Sequence, residues 1–157
     1  TIGMAVANRR RPLGSVCNMN CPACKHPMMA LEYDAVEVDY CGACKGVWLD
    51  AGELELLFGD GESHVAFLHG GDAAAARAEK RRRCPICRAK MTKEATRGEP
   101  PVVYDRCPRG DGLWFDRGEL EQVLAYGHPH AGGERVTSFL REVFGFGRDG
   151  IRKENGT

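Results

Sequence analysis

Cysteine pairs carry the chemistry written into this chain. Cys21-Pro22-Ala23-Cys24 and Cys41-Gly42-Ala43-Cys44 are two Cys-x-x-Cys knuckles with 16 residues between Cys24 and Cys41. That spacing brings four thiolates to one tetrahedral zinc ion, and the Pro and Gly within the knuckles suit the tight turns required. A complete four-thiolate shell has no open coordination position, so the expected site is structural and not catalytic. A unit of about 40 residues buries too small a core to fold unaided, and the metal would supply the missing stability.

A second set follows but lacks one member. Cys84-Pro85-Ile86-Cys87 and Cys107 match the first three ligands, whereas Gly110 stands where Cys44 stands in the first set. Asp111, one residue on, is a candidate fourth ligand through a carboxylate oxygen; His128 and His130 are the others. The expectation is one zinc ion at Cys21, Cys24, Cys41 and Cys44, and a second at Cys84, Cys87, Cys107 and Asp111. The competing expectation for the second set is a degenerate unit held only by packing.

The elements that must position these ligands come as a repeat. Val36 to Glu55, containing Cys41-Gly42-Ala43-Cys44-Lys45-Gly46-Val47-Trp48-Leu49-Asp50-Ala51-Gly52-Glu53-Leu54, recurs as Val102 to Glu121, with Trp, Asp, Gly, Glu and Leu in register. The leading knuckles are offset by 63 positions and the later blocks by 66, so the second copy carries three extra residues around 97–101. Each copy reads as knuckle, strand or hairpin, knuckle, short helix. Val36 and Val38, like Val102 and Tyr104, alternate with charged residues as a half-buried strand does. Asp50 with Glu53, and Asp116 with Glu119, have capping-box spacing. Leu54, Leu57 and Phe58, and likewise Leu120, Val123 and Leu124, then share a helical face, with Gly59 and Gly127 as stops. Trp48 and Trp114 are expected to cover the knuckles and pack on these helix faces. The Ala- and Arg-rich run 73–83 predicts a helical basic connector. Val136, Phe139, Leu140, Val143 and Phe144 predict a C-terminal amphipathic helix.

The run Cys-Pro-x-Cys, then Cys-x-x-Cys-x-Gly-x-Trp-Leu-Asp-x-Gly-Glu-Leu, resembles the TFIIB-type zinc-ribbon family, fully over Cys21 to Phe58 and with one ligand lost over Cys84 to Leu124. The resemblance implies that Cys21, Cys24, Cys41 and Cys44 are zinc ligands, with Cys84, Cys87 and Cys107 their counterparts. The expected fold is a small metal-stabilised α+β protein. Its order is an N-terminal arm (1–20), ribbon (21–60), helical connector (61–83), second ribbon (84–127), amphipathic helix (134–146) and flexible tail (147–157).

Other chemistries fit less well. Cys17-x3-Cys21-x2-Cys24 spells the pattern of four-iron radical enzymes, but those need far longer chains, and Cys21 and Cys24 already pair with the second knuckle. Cys17 is expected to be a spare thiol. No βαβ pattern surrounds Cys84 and Cys87 to suggest a redox dithiol, and the Glu of a zinc deaminase motif is missing. The expectation is therefore a non-enzymatic module.

Net charge is zero, with 22 basic and 22 acidic residues, so no global surplus advertises nucleic acid. Segregation is more informative. Residues 31–62 hold nine acids and one base, and residues 73–97 nine bases and two acids. Arg77, Lys80, Arg81, Arg82 and Arg83 are thus candidates to bind nucleic acid or an acidic protein partner; their alternative is to offset the acidic first unit. No apolar run reaches the roughly 18 residues of a membrane span, and no signal peptide is legible. Reduced cysteines in a cytoplasmic protein, with possible homo-oligomers through the C-terminal helix, complete the expectations.

Overall fold

The structure, a computed structural model, describes residues 19–33, 36–58, 71 and 79–126, together with 138, 141 and 142. Both copies of the repeat have the same local order. β1 (Met29–Tyr33), β2 (Val36–Tyr40), β3 (Val47–Asp50) and α1 (Glu53–Phe58) build the first. β4 (Thr92–Ala95), β5 (Val103–Arg106), β6 (Gly112–Phe115) and α2 (Glu119–Tyr126) build the second.

The two copies are one sheet. Six strands run in the order β1-β2-β3-β6-β5-β4, antiparallel throughout, so the last strand of each unit pairs with the last strand of the other. At that seam Val47 faces Phe115, Trp48 faces Trp114 and Leu49 faces Leu113. A three-stranded ribbon has a marginal hydrophobic face; joining two doubles the sheet and hides two of its four edges.

Strand alternation sorts the side chains onto two faces. One face carries Val36, Val38, Tyr40, Val47, Leu49, Tyr104 and Phe115, packed against Leu54 of α1 and Leu120, Val123 and Leu124 of α2. The other carries Trp48 and Trp114 together with Cys21, Cys41, Cys84, Cys107, Met19, Met28 and Met91. The tryptophans therefore cover the knuckles as expected but do not pack on the helices. Residues 48 and 114 point to the opposite side from 47, 49 and 115, and the helices lie on that opposite side.

Capping departs from symmetry. In α2 the Glu119 carboxylate accepts the Asp116 backbone N–H at 2.8 Å, one half of a capping box. In α1 the Glu53 carboxylate instead accepts the Glu37 N–H of β2 at 3.0 Å, tying helix to sheet. The three extra residues of the second copy fall in the β4–β5 loop, which buried Thr96 closes by donating its N–H to the Val102 carbonyl and accepting the Val102 N–H on Oγ1.

The described end of the predicted helical connector is not helical. Glu79 to Arg82 is irregular, and Arg83 forms a β-bridge with Lys90. Sheet-edge geometry here overrides the helix propensity of Lys and Arg. Arg77 and the alanine run lie outside the described residues, as do Cys17, His128, His130 and all five apolar positions of the C-terminal amphipathic segment; Ser138, Arg141 and Glu142 within that segment are helical. No helix among the described residues is long and apolar enough to cross a membrane.

Candidate metal centre

The knuckles are tight turns that aim paired sulfurs inward. Lys25, Lys45 and Arg88 follow the second cysteine of their knuckles at φ 69°, 65° and 65°, and each donates its N–H to the carbonyl of the first cysteine. This left-handed step reverses the chain after each pair. Cys21, Cys41, Cys84 and Cys107 are buried, while Cys24, Cys44 and Cys87 are partly exposed.

In the first unit Cys21 Sγ lies 3.5 Å from Cys44 Sγ, and Cys24 Sγ lies 3.4 Å from Cys41 Sγ. All four sulfurs fall within 4.8 Å of one another. Those separations are far too long for disulfides. Four sulfurs about 2.3 Å from a tetrahedral zinc ion would stand about 3.8 Å apart, so the cluster fits zinc with little adjustment. Backbone N–H groups of Ala23 and Cys24 point at Cys21 Sγ, and that of Cys44 at Cys41 Sγ, which stabilises thiolate charge. The His26 N–H and ring hold Cys24 down at about 6, although burial raises Cys21 and Cys44. A dication resolves that conflict by stabilising all four thiolates together.

The second unit assembles Cys84, Cys87, Cys107 and Asp111 within the same 4.8 Å limit. Asp111 Oδ2 lies 3.4 Å from Cys84 Sγ and 3.3 Å from Cys107 Sγ, and Cys87 Sγ lies 3.5 Å from Cys107 Sγ. Contact with the Cys87, Cys107 and Cys84 thiols holds the Asp111 carboxyl below the usual range. The turn explains the change of ligand. In this knuckle the left-handed residue is Gly110, at φ 79°, and its N–H bonds the Cys107 carbonyl, so the turn closes one residue early. Asp111 then takes the place in space that Cys44 fills in the first unit. Three sulfurs and one oxygen are a donor set that zinc accepts.

The family described as transcription factor zinc-finger, the TFIIB-type zinc ribbon, matches residues 20–58 and 83–126, more than half of the chain. The chain belongs to this family. The two matched segments are the two halves of the sheet, each a zinc ribbon, and the two donor sets fit zinc as that family binds it. No curated protein and no solved structure matches the chain.

The residues predicted to touch a partner divide. Arg82 is not free: its guanidinium donates to Asp116 Oδ1 at 2.9 Å, the same oxygen that accepts the Trp114 indole N–H at 3.0 Å. It braces the indole of the second ribbon. Lys80, Arg81 and Arg83 are exposed. Sequence reasoning also missed a buried ion pair, Lys93 with Asp105 at 3.0 Å, extended to Glu79 at 2.9 Å. Ala30 occupies the position of Lys93 in the first ribbon, so no repeat signal marks the pair. Glu37, Asp39 and Asp50 also converge; the acidic bias of the first unit hinted at this, but the strand pairing that joins them was not legible.

Proposed function

We propose that this zinc-ribbon protein is a non-enzymatic binding module of the cytoplasm that engages nucleic acid in a transcription-associated role. One observation carries the proposal. In the segment that leads into Cys84 of the second donor set, Lys80, Arg81 and Arg83 are exposed and form no ion pair with a described residue, although the chain as a whole is neutral. Both donor sets supply four protein ligands, which supports a metal that holds the fold and leaves catalysis aside. Titration of the zinc-loaded chain against nucleic acid over a salt series tests this, because phosphate contacts weaken steeply as salt rises.

An assembly adaptor is the second candidate function, favoured by exposed Leu56 on α1, which is 57% accessible on the acidic ribbon. A protein partner co-purified from the host and retained at high salt, with no nucleic acid bound at low salt, would select it.

A further inference from the structure

The knuckles of the second metal centre and the segment leading into them carry positive charge that meets no ion-pair partner among the described residues. Lys80, Arg81, Arg83, Arg88, Lys90 and Arg109 are all exposed, and none forms an ion pair with a described residue. Arg83 and Lys90 are partners in the β-bridge that frames the Cys84–Cys87 knuckle. Arg88 sits at the knuckle's left-handed step, its carbonyl accepting from the Arg83 guanidinium at 3.2 Å. Arg109 is in the facing knuckle, and its charge helps to hold the Asp111 carboxyl low. Neither 80–92 nor 106–110 contains an acidic residue. Among the other described cations, Arg82 pairs with Asp116, Lys93 with Asp105, Arg106 with Glu94 and Arg141 with Glu121.

Balancing the metal site does not account for this surface. Three thiolates and a carboxylate around a dication leave two net negative charges, against six cations. The first ribbon supplies an internal control. Its equivalent positions are Cys17, Asn18, Asn20, Lys25, Pro27 and Ala43, with a single cation, around a donor set of the same net charge. Neither the ribbon fold nor the metal requires the basic face.

We infer that the knuckle face of the second ribbon is a docking surface for the phosphate backbone of duplex nucleic acid, a deepening of the nucleic-acid function proposed above that rests on it. Four of the six cations are arginines, whose planar guanidinium groups suit phosphate oxygens. Trp48 and Trp114 are fully buried, and Ile86, at 41% exposure, is the large apolar side chain at the knuckle tip. With no aromatic platform among the described residues of this face, bases of a single strand have nothing there to stack on. Contacts are therefore to phosphates, and binding does not read sequence.

The test uses the zinc-loaded full chain and a fluorescent 20-base-pair DNA duplex of arbitrary sequence, its RNA counterpart, a single-stranded oligothymidylate, and poly-glutamate as competitor. The triple variant Arg88→Gln/Lys90→Gln/Arg109→Gln is compared with Lys25→Gln/Arg97→Gln/Arg117→Gln, which removes equal charge elsewhere. The knuckle variant is expected to lose more than tenfold in duplex affinity at low salt, with its salt slope reduced by about 3, while the control changes less than threefold. Zinc content and melting temperature establish that the triple is folded; if it is not, Arg88→Gln and Lys90→Gln singly should each lower the slope by about 1. Equal losses in both triples, or tighter binding of oligothymidylate than of duplex, overturn this surface but leave nucleic-acid binding standing. Displacement of duplex by poly-glutamate at equal charge concentration also overturns it. A parent that binds no nucleic acid at low salt overturns both proposals.

Discussion

Trp48 and Trp114 face each other across the central β3–β6 pair, and each indole lies over a glycine of the other ribbon. A Cβ at Gly46 would collide with the Trp114 ring, and one at Gly112 with the Trp48 ring and the Leu49 carbonyl. The exchange is reciprocal, because positions 46 and 112 are repeat equivalents. Each ribbon's knuckle thus depends on the other ribbon's tryptophan for cover.

Gly46→Ala and Gly112→Ala should each destabilise the whole protein by at least about 1–3 kcal/mol, the usual cost of overpacking. Gly42→Ala, whose Cβ would meet only Met29 at 3.8 Å, should change stability by less than about 0.5 kcal/mol. Chemical denaturation of the zinc-loaded chain measures all three. Equal stability for Gly46→Ala and Gly42→Ala would show that the indole has room to move.

Cys41→Ser should lose one equivalent of zinc and also weaken the second ribbon, because β3 is the hydrogen-bonded neighbour of β6. Breakage of a structural zinc site removes roughly 10 kcal/mol of binding free energy in comparable peptides. Hydrogen exchange at Leu113 and Trp114 reads the propagation; native protection there in the variant would mean that the ribbons fold independently.

The second centre should release zinc to a chelator before the first, since a carboxylate replaces a thiolate. Asp111→Ala should weaken it by more than about tenfold, and Asp111→Cys should tighten it. Gly110→Cys should not, although 110 is the repeat equivalent of Cys44. A Cβ at 110 meets no sulfur within 4 Å and would sit at φ 79°, a strained backbone for any side chain. Competition with a coloured chelator ranks the variants, and tighter binding by Gly110→Cys than by Asp111→Cys would refute the shifted turn.

Burial, with Asp116 and Asp105 nearby, pushes Glu119 up to about 7 despite the Asp116 N–H that it accepts. The folded state therefore holds this proton more tightly than the unfolded chain, whose value is near the ordinary 4.5. Its contribution is full below about pH 4.5 and is lost as pH rises to about 7. Relative to Glu119→Gln, which keeps an acceptor for the cap, the parent should lose stability by up to about 3 kcal/mol across that window. Subtracting the two pH profiles removes the shared effect of thiolate protonation; parallel profiles would place the Glu119 carboxyl in water.

Truncation after Gly133 removes Phe139, Leu140 and Phe144, each worth about 1.5–3 kcal/mol if buried. It should lower the melting temperature or change the oligomeric state, as calorimetry and light scattering would show. Neither changing would make the segment a free tail. The 4.0 Å contact between Arg141 and Glu121 of α2 supports docking on the second ribbon.

Cysteine spacing, the 63- and 66-residue offsets and the Trp-x-Asp-x-Gly-Glu-Leu pattern were enough to mark two ribbons, their strands and the buried faces of Leu54 and Leu120. Those features are local: a knuckle is four residues, a cap three, a strand face every second residue. The fourth ligand at Asp111 was legible as a neighbour of the vacant position, though not the shortened turn that delivers it. What lay beyond reach was every relation between units. Pairing β3 with β6 places Trp48 on Trp114, and the irregular, non-helical backbone of 79–82 lets Arg82 reach Asp116. Lys93 meets Asp105 across β4 and β5. Such contacts depend on strand register and on which edges close upon each other, and a sheet edge offers the same N–H and C=O groups whatever its sequence. Side-chain packing at the seam, indole against glycine on one face and Val47, Leu49 and Phe115 on the other, selects one pairing among several, and it exists only once both ribbons have folded.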